Sequence, residues 1–181
     1  MRTIRSERLV LRPLRTTDVP ELSTRLLGDL EVMRYLFAGR ALGREQADAF
    51  MRREFARPAD PAGLAVLCER QSGRLVGFAG LRACACVGPD ELEFGFALAR
   101  EAWGRGYATE IGRAQIRFGF DELGRRRLFA LSHPDNRASV RVLRKLGLHF
   151  VKCVAADAER GPRHLFCIER GSSGAGICPA P

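Results

Sequence analysis

Two glycines and the residues around them form the segment of this chain that is best suited to chemistry. Trp103-Gly104-Arg105-Gly106-Tyr107-Ala108-Thr109-Glu110 follows a β-like run, 91–98, and opens a helical run, 109–123. Glycine lets the backbone turn tightly, so that consecutive N–H groups converge at the positive end of the following helix dipole. A strand, a glycine-rich turn and a helix N-terminus together predict a phosphate-binding site. Taken alone, the segment also fits an ordinary strand-to-helix turn.

The spacing of the glycines excludes two common nucleotide-binding sites. A dinucleotide fingerprint requires Gly-x-Gly-x-x-Gly, and here the third glycine position is Thr109. The P-loop string Gly-x-x-x-x-Gly-Lys-Ser/Thr does not occur in the sequence. The predicted phosphate site therefore belongs to another class of cofactor.

Polar residues on both sides of this segment are candidates for proton transfer and binding. Glu93 lies on the preceding strand and is a candidate general base, because an apolar pocket raises the pKa of a carboxyl group toward neutrality. Glu91 shares its strand face by period two, and the alternative is that both are solvated charges at the strand edge. Asn136 is suited to cap a helix, and Ser139 follows it one helical turn later.

Four motifs in this order resemble those of the GNAT N-acetyltransferase superfamily. Trp103-Gly104-Arg105-Gly106-Tyr107-Ala108 resembles its acyl-CoA loop, Gln/Arg-x-x-Gly-x-Gly/Ala, with Trp103 in the first position. Asn136-x-x-Ser139 and Lys145-Leu146-Gly147-Leu148 resemble strings of the branch that contains the ribosomal-protein N-terminal (alanine/serine) acetyltransferases. The stretch 6–14 resembles the opening strand of that branch, and the whole resemblance covers about residues 5 to 170.

This resemblance implies a fold and a cofactor site. The fold is the GNAT-like acyl-CoA N-acyltransferase fold, of class α/β (α+β), with a mixed, mostly antiparallel central sheet flanked by helices. The co-substrate is acetyl-CoA, with its phosphates on the glycine loop and its pantetheine arm paired to the strand backbone. The residues that the resemblance assigns to acetyl-CoA are Phe96, Ala97, Leu98, Trp103, Gly104, Arg105, Gly106, Tyr107, Ala108, Thr109, Asn136 and Ser139.

The resemblance also implies direct transfer of an acetyl group to a primary amine in a ternary complex. The amine must lose a proton and the leaving thiolate must gain one. Glu93, acting through water, is the predicted base, and Ser139 is predicted to protonate or orient the thiolate. Many relatives use a tyrosine for that proton, and no tyrosine follows Tyr107 here. Because a thioester is already activated, we expect no metal and no protein nucleophile.

Hydrophobic periodicity and breaker residues predict the elements that position these groups, within one domain over residues 1–170. Strands are predicted at 7–14, 64–70, 75–82, 91–98, 127–132, 150–155 and 164–169. Helices are predicted at 18–27, 30–37, 44–57, 107–123 and 138–146. Asp18 is the predicted N-cap of the first helix, with Glu21 completing a capping box. Residues 171–181 are predicted to be a flexible tail.

Composition limits the protein's class. Of 181 residues, 46% are hydrophobic and 28% charged, which is typical of a soluble globular protein. The sequence has no apolar run near the roughly 18 residues of a membrane span and no N-terminal signal region, so we expect a cytoplasmic location. The six cysteines lack zinc-site spacing and are predicted to be buried, reduced thiols, with Cys84 and Cys86 on one face of a strand.

The net charge of +9 suits a polyanionic partner, although scattered arginines that solvate the surface are the favoured interpretation. The sequence therefore predicts an acetyl-CoA-dependent N-acetyltransferase, monomeric or homodimeric, whose acceptor is a protein N-terminus or a small amine. Membrane and nucleic-acid partners are not expected. Two other classes remain open: a non-catalytic acyl-CoA-binding module without turnover, and a basic ribosome- or nucleic-acid-binding domain with salt-dependent binding.

Overall fold

The chain folds around one eight-stranded sheet with helices on both faces. The computed structural model describes residues 3–36, 39–55, 62–157 and 161–171. Its strands are β1 (Ile4–Arg5), β2 (Leu9–Arg12), β3 (Gly63–Glu69), β4 (Leu75–Ala83), β5 (Leu92–Leu98), β6 (Arg127–Ser132), β7 (His149–Val154) and β8 (Arg163–Glu169). Their spatial order is β1-β2-β3-β4-β5-β6-β8-β7, and β5–β6 is the parallel pair among antiparallel neighbours. The predicted mixed, mostly antiparallel sheet is confirmed.

The helices follow the predicted positions with shorter bounds. They are α1 (Val19–Leu22), α2 (Leu30–Met33), α3 (Arg44–Glu54), α4 (Tyr107–Arg117) and α5 (Arg137–Lys145). A 3₁₀ turn, Thr16–Asp18, precedes α1, and π-helical turns, Ser23–Leu27 and Phe118–Glu122, extend α1 and α4. The predicted flexible tail at 171–181 lies, apart from its first residue, outside the described residues.

The central strands are buried on both faces because their side chains alternate between two cores. On β3, Leu64, Val66 and Cys68 pack with α1–α3. Their neighbours Ala65 and Leu67 pack with α4 and α5 on the opposite face. This period of two places one helical layer on each side of the sheet.

The sheet opens between β5 and β6. β5 pairs with β4 along its whole length, from Leu92 with Ala83 to Leu98 with Gly77. It pairs with β6 only through Glu93 and Phe129. Beyond that point the two strands diverge, and α4 begins shortly after β5 ends. The fold therefore creates a slot at the place where the predicted binding residues cluster.

A glycine brings the last helix close to this slot. A Cβ atom on Gly112 of α4 would lie 2.5 Å from Cδ1 of Leu146, which follows α5 directly. Only glycine allows this approach without displacement of the leucine. The close packing of α4 and α5 holds Asn136 and Ser139 beside the glycine loop.

Asp18 is the N-cap residue of α1, as predicted, but its side chain makes no capping hydrogen bond to that helix. Asp18 is buried and accepts a hydrogen bond from the Arg15 N–H at 2.8 Å. The guanidinium of Arg12 donates to both of its carboxylate oxygens at 2.7 and 2.8 Å. Burial opposes the charge, but these hydrogen bonds outweigh it and lower the pKa of Asp18. Asp18 therefore ties β2 to the first helix.

Candidate active site

The glycine loop has the backbone geometry that its sequence predicts. Gly104 and Gly106 have φ angles of +75° and +80°, in the left-handed region that favours glycine. Gly106 is the N-cap residue of α4. The first N–H groups of a helix have no intrahelical acceptor, so those of α4 are available to a ligand at the mouth of the slot.

An arginine of the β1–β2 hairpin anchors the glycine loop on the side away from the slot. Arg8 donates through Nε to Glu110 at 2.7 Å and through Nη1 to the Arg105 carbonyl at 3.1 Å. Ser6 donates through Oγ to the other oxygen of Glu110 at 2.7 Å. Although partial burial raises the pKa of Glu110, these donors outweigh it and lower that pKa. The ionised carboxylate thus holds the start of α4 against the β1–β2 hairpin.

A second carboxylate anchors the loop from β3. Glu69 accepts hydrogen bonds from Ser72 at 2.7 Å, from Arg74 at 2.9 Å and from the Tyr107 hydroxyl at 2.9 Å. These three donors lower the pKa of Glu69 to about 2. The hydroxyl of Tyr107 is therefore engaged in fixing the loop.

Arg105 departs from its predicted place. Its guanidinium lies 3.5 Å from Glu69 and is about half exposed. Arg8 binds its carbonyl, and its side chain extends toward Glu69 instead of the slot. Arg105 contributes backbone to the loop and does not line the cleft.

The slot and the loop form a cleft of about 470 Å³, which we call the donor cleft. All the residues predicted to contact acetyl-CoA, except Arg105, line it. They are Phe96, Ala97, Leu98, Trp103, Gly104, Gly106, Tyr107, Ala108, Thr109, Asn136 and Ser139. The opposite walls come from α2 and α5, and they include Glu31, Arg34, Tyr35, Val142 and Lys145. Its size is within the range of cofactor sites.

The backbone of β5 turns alternate peptide groups into the donor cleft. Ala99 donates its N–H to the Val76 carbonyl at 2.9 Å. In an antiparallel pair the peptide groups of every second residue face the partner strand, so this bond fixes which residues of β5 face β4. The peptide groups of Ala97 therefore face β4, and those of Phe96 and Leu98 face the slot. The Trp103 indole donates to the Leu98 carbonyl at 2.8 Å, with the side chain half exposed. Trp103 thus fixes the end of the strand instead of packing in the core.

Asn136 performs the capping role that its position predicts. Its Oδ1 accepts a hydrogen bond from the Ser139 N–H at 3.1 Å at the start of α5. This contact orients the side chain and leaves its amide NH₂ group available to a ligand. Ser139 lines the same part of the cleft as Asn136.

A smaller cavity of about 170 Å³, which we call the acceptor cavity, opens at the junction of β5 and β6. Its charged and polar lining includes Arg82, Glu93, Ser132, His133 and Arg163. It meets the donor cleft at five shared residues, which are Tyr35, Leu36, Phe96, Asn136 and Ser139. Molecules bound on the two sides would therefore contact each other at this junction.

Glu93 lines the acceptor cavity, but its surroundings are more polar than the sequence predicts. Its side chain is buried and its Oε1 accepts from Arg82 at 2.9 and 3.3 Å. Arg82 also donates to Glu54 of α3 at 2.6 Å. Glu91 does not join this group, because it precedes β5 and pairs with Arg127. Of the two glutamates with period-two spacing, only Glu93 reaches the cavity.

Several residues at the site were missed from the sequence. Tyr35 lies at the junction, and its ring centroid is 5.3 Å from that of His133. Arg82 and Arg163 had no local signal to separate them from the other arginines. Lys145 did have a local signal, because its spacing from Ala138 and Val142 places all three residues on one face of α5, the face that lines the donor cleft.

The cysteines follow the predicted pattern only in part. Cys84 and Cys86 follow β4 in a turn, so the prediction that they share a strand face is wrong. Their Sγ atoms are 3.6 Å apart, and burial together with the nearby charge of Glu93 raises the pKa of Cys84. Cys68, Cys84 and Cys167 are buried free thiols, whereas Cys153 is exposed. Cys178 lies outside the described residues.

Within the described part of the chain, no three His, Cys, Asp or Glu side chains are grouped to hold a metal ion. Nor does any helix in those ranges have the length and apolar character needed to cross a membrane.

Comparisons with known proteins agree with this geometry. The sequence model of the acetyltransferase (GNAT) domain matches residues 8–149. The uncharacterized N-acetyltransferase YoaA of Bacillus subtilis (strain 168) is 30% identical over 145 residues, which cover 80% of this chain and 81% of YoaA. A GNAT-family acetyltransferase from Bacillus anthracis superposes with a TM-score of 0.78 at 22% identity, over 93% of this chain and 98% of that one. The ribosomal L7/L12 α-N-protein acetyltransferase RimL, solved with coenzyme A, superposes with a TM-score of 0.70 at 15% identity and the same two coverages.

Proposed function

This chain belongs to the GNAT acetyltransferase family and is an N-acetyltransferase, and from that premise we propose that it transfers an acetyl group from acetyl-CoA directly to a primary amine. The observation that carries the proposal is the meeting of the donor cleft and the acceptor cavity at Phe96, Asn136 and Ser139. Two substrates held on either side of this junction react without a covalent enzyme intermediate. Such an arrangement gains its rate from proximity and orientation.

The donor cleft fits coenzyme A by the kind of groups it offers. The glycine loop and the α4 N-terminus present N–H groups to the diphosphate, and Lys145 adds a positive charge at the cleft wall. The slot-facing peptide groups of Phe96 and Leu98 match the amides of a pantetheine arm, and the Asn136 NH₂ group adds a donor. When bound, acetyl-CoA supplies the activated acetyl thioester.

We propose that two side chains move protons. Glu93, on the acceptor side, accepts the proton that the amine loses, through a water molecule, as the new C–N bond forms. Ser139, at the junction, passes its hydroxyl proton to the thiolate as the C–S bond breaks and takes up a proton from water at the same time, so that no alkoxide is left. The products are the acetylated amine and coenzyme A, so that one proton leaves the amine and one reaches the sulfur. Arg82 holds the Glu93 carboxylate in place during this exchange.

The acceptor is a primary amine of small size at its reacting end, because the acceptor cavity measures only about 170 Å³. A protein N-terminus and a small free amine both meet this limit. RimL, which has the same fold, is a ribosomal-protein acetyltransferase, and this supports the first of these. We propose that the enzyme acts in the cytoplasm, where its buried thiols would stay reduced.

The direct test is the thermal melting midpoint with and without acetyl-CoA, with NAD and ATP as controls. A ligand that binds only the native state raises apparent stability, so acetyl-CoA alone should shift the midpoint. An amine screen that measures coenzyme A release then tests turnover. A shift without turnover of any amine would favour the non-catalytic acyl-CoA-binding module. Absence of a shift at saturating acetyl-CoA would refute the proposal and favour the basic binding domain.

A further inference from the structure

One arginine joins the predicted base to a carboxylate that lies outside both cavities. Arg82 donates through Nε and Nη2 to Oε1 of Glu93, at 3.3 and 2.9 Å. Through Nη1 it donates to Oε2 of Glu54, the last residue of α3, at 2.6 Å. Glu93 lines the acceptor cavity, whereas Glu54 lines neither that cavity nor the donor cleft. Two carboxylates therefore share one guanidinium group, and Glu93 is the one placed to meet an acceptor.

The three side chains of this group are largely shielded from water. Their exposed fractions are 20% for Arg82, 16% for Glu54 and 10% for Glu93. Charges that are shielded from solvent and salt interact more strongly than charges at the protein surface. Removal of one charge from the group should therefore change the ionisation of the others.

Glu54 is ionised at neutral pH. Burial raises its pKa, but the hydrogen bond from Arg53 at 2.7 Å and the positive charges of Arg82 and Arg53 outweigh burial and lower that pKa. Arg53 is 61% exposed, so solvent screens most of its charge. The three shielded side chains thus hold two negative charges and one positive charge when Glu93 is ionised.

Other titratable groups surround Glu93 but do not take the place of this contact. They are Tyr35, Cys84, His133 and Arg163. The Cys84 thiol is neutral, because burial and the charge of Glu93 raise its pKa. Arg163 is paired with Asp157. The ionisation of Glu93 therefore depends first on Arg82, which binds it directly, and through Arg82 on Glu54.

The sign of this dependence follows from the charges. A second negative charge on the same guanidinium makes ionisation of Glu93 less favourable and so favours acceptance of a proton. Without Glu54, the positive charge of Arg82 would act on Glu93 alone. A carboxylate stabilised in this way is a weaker base.

We propose that Glu54 is a positioning residue that, by sharing Arg82, keeps Glu93 able to accept the proton of the acceptor amine. This inference rests on the proposed acetyl transfer. Because Glu54 lies outside both cavities, it acts through Arg82 and not by contact with a substrate.

The test is the titration of the Glu93 carboxyl group, followed by NMR in protein labelled with carbon-13 in its glutamate side chains. The Glu93 signal is identified by its loss in Glu93→Gln. Glu54→Gln removes the negative charge and keeps an oxygen that can accept from Arg82. It should move the midpoint of the Glu93 titration to lower pH by about one unit. This readout needs no turnover.

Acetyl transfer provides a second readout. In Glu54→Gln the acid limb of the pH profile of kcat should move to lower pH in parallel with the NMR titration. The plateau of kcat should fall by about threefold, since a weaker base accepts the proton more slowly, and KM for the amine should stay unchanged. If Glu54 only anchored α3, its substitution would lower stability and leave the pH profile in its wild-type position.

Two further variants separate charge from packing. Arg53→Gln is the matched control, because it removes a charge from the neighbouring position of α3, and it should barely move the Glu93 midpoint. Glu54→Asp keeps the charge on a shorter side chain, and it should shift the midpoint in the same direction as Glu54→Gln but by less. If Glu54→Gln does not fold, Glu54→Asp decides, since a shift supports the role of Glu54 and an unchanged midpoint overturns it.

The outcomes distinguish this inference from the proposed function. An unchanged Glu93 midpoint in folded Glu54→Gln, or an equal shift in Arg53→Gln, would overturn the role of Glu54 while acetyl transfer stands. A lack of stabilisation by acetyl-CoA would instead refute the proposed function, and the NMR titration would still decide whether Glu54 controls the ionisation of Glu93.

Discussion

The donor cleft and the acceptor cavity meet at five residues but are built in different ways. The donor cleft takes its loop wall from two neighbouring segments, Phe96–Leu98 and Trp103–Thr109, in which Arg105 does not line the cleft. The acceptor cavity is formed by residues of β3, β4, β5, β6, β8 and α5 and of the segment after α2, including Arg82, Glu93 and Arg163. Backbone groups recognise features that every acyl-CoA shares, whereas side chains can be exchanged without changing the fold. Under the proposed function, cofactor recognition is therefore local in sequence, whereas acceptor recognition depends on topology.

The two regions also differ in how they are supported. The glycine loop is held from outside by Glu69 and Glu110, neither of which lines the donor cleft. In the acceptor cavity the support and the site coincide, because Arg82 and Glu93 both line it and bind each other. Substitutions of Glu69 or Glu110, which support the glycine loop, should therefore lower stability more than the catalytic rate. Substitutions in the acceptor cavity should lower the catalytic rate more than stability.

The largest effect is expected from Gly104→Val, which breaks the donor side. At φ +75° a β-branched residue is strained by about 1–3 kcal/mol. Its side chain would also enter the cleft, and displacement of a bound substrate by about 1 Å can cost on the order of 100-fold in rate. We expect kcat/KM for acetyl-CoA to fall by about that factor. The control is Gly124→Val, at φ +64° and equally free of neighbours, which lies outside the cleft. A similar loss in both variants would show that strain, and not the cleft, is responsible.

On the acceptor side, Glu93→Gln should lower kcat by about 100-fold or more, because general base catalysis typically contributes 10²–10⁴-fold. The melting shift produced by acetyl-CoA should remain. Glu91→Gln is the matched control, since this residue pairs with Arg127 at the protein surface and should change the rate only slightly. A Glu93→Gln enzyme with near wild-type kcat would remove Glu93 from the mechanism.

At the junction, Ser139→Ala and Tyr35→Phe distinguish two hydroxyl groups that line both cavities. A thiolate is a stable leaving group, so loss of the proton donor should cost only about tenfold in kcat. We expect this loss for Ser139→Ala with little change in KM, and no comparable loss for Tyr35→Phe. The reverse pattern in initial-rate measurements would assign the proton to Tyr35.

The smallest effect is expected from Glu69→Gln, which removes a carboxylate that supports the glycine loop. Since its pKa is lowered to about 2, this carboxylate contributes stability that is fully present above its ordinary pKa near 4.5. That contribution is lost as pH falls toward 2. Glu69→Gln should be less stable than wild type at pH 6, by at most about 1 kcal/mol, in urea unfolding. The difference should shrink between pH 4.5 and 2, while kcat at neutral pH stays close to wild type. A difference that does not vary with pH would contradict the ion-pair assignment.

Local sequence signals predicted the donor side because its determinants are neighbours in the chain. The positive φ angles of Gly104 and Gly106 and the cap by Asn136 follow from residue type and spacing. The direction of the Arg105 side chain did not, because Glu69 lies 36 residues away and draws it from the cleft. The side-chain partner of Asp18 was missed for a similar reason, since Arg12 lies on a strand outside the helix.

The acceptor side could not be predicted in the same way. Arg82 meets Glu54 across 28 residues, and this contact depends on the packing of α3 against β4. Arg163 reaches the cavity only because β8 pairs with β6, whose end lines it. Strand order and register decide both contacts, and neither is encoded in a short stretch of sequence. The predicted apolar setting of Glu93 failed because Arg82 comes from the neighbouring strand.

The divergence of β5 from β6 divides one strand into two classes of amide. The N–H groups of Gly95 and Ala97 face β4 and are locked in the ladder, whereas those of Phe96 and Leu98 face the open slot. In heavy water the second class exchanges its hydrogen much earlier than the first, residue by alternate residue along one strand. A ligand that binds along the open edge of β5, as a neighbouring strand would, should slow the hydrogen exchange of the Phe96 and Leu98 amides only. The exchange rates of these two amide hydrogens therefore indicate whether a ligand occupies the slot.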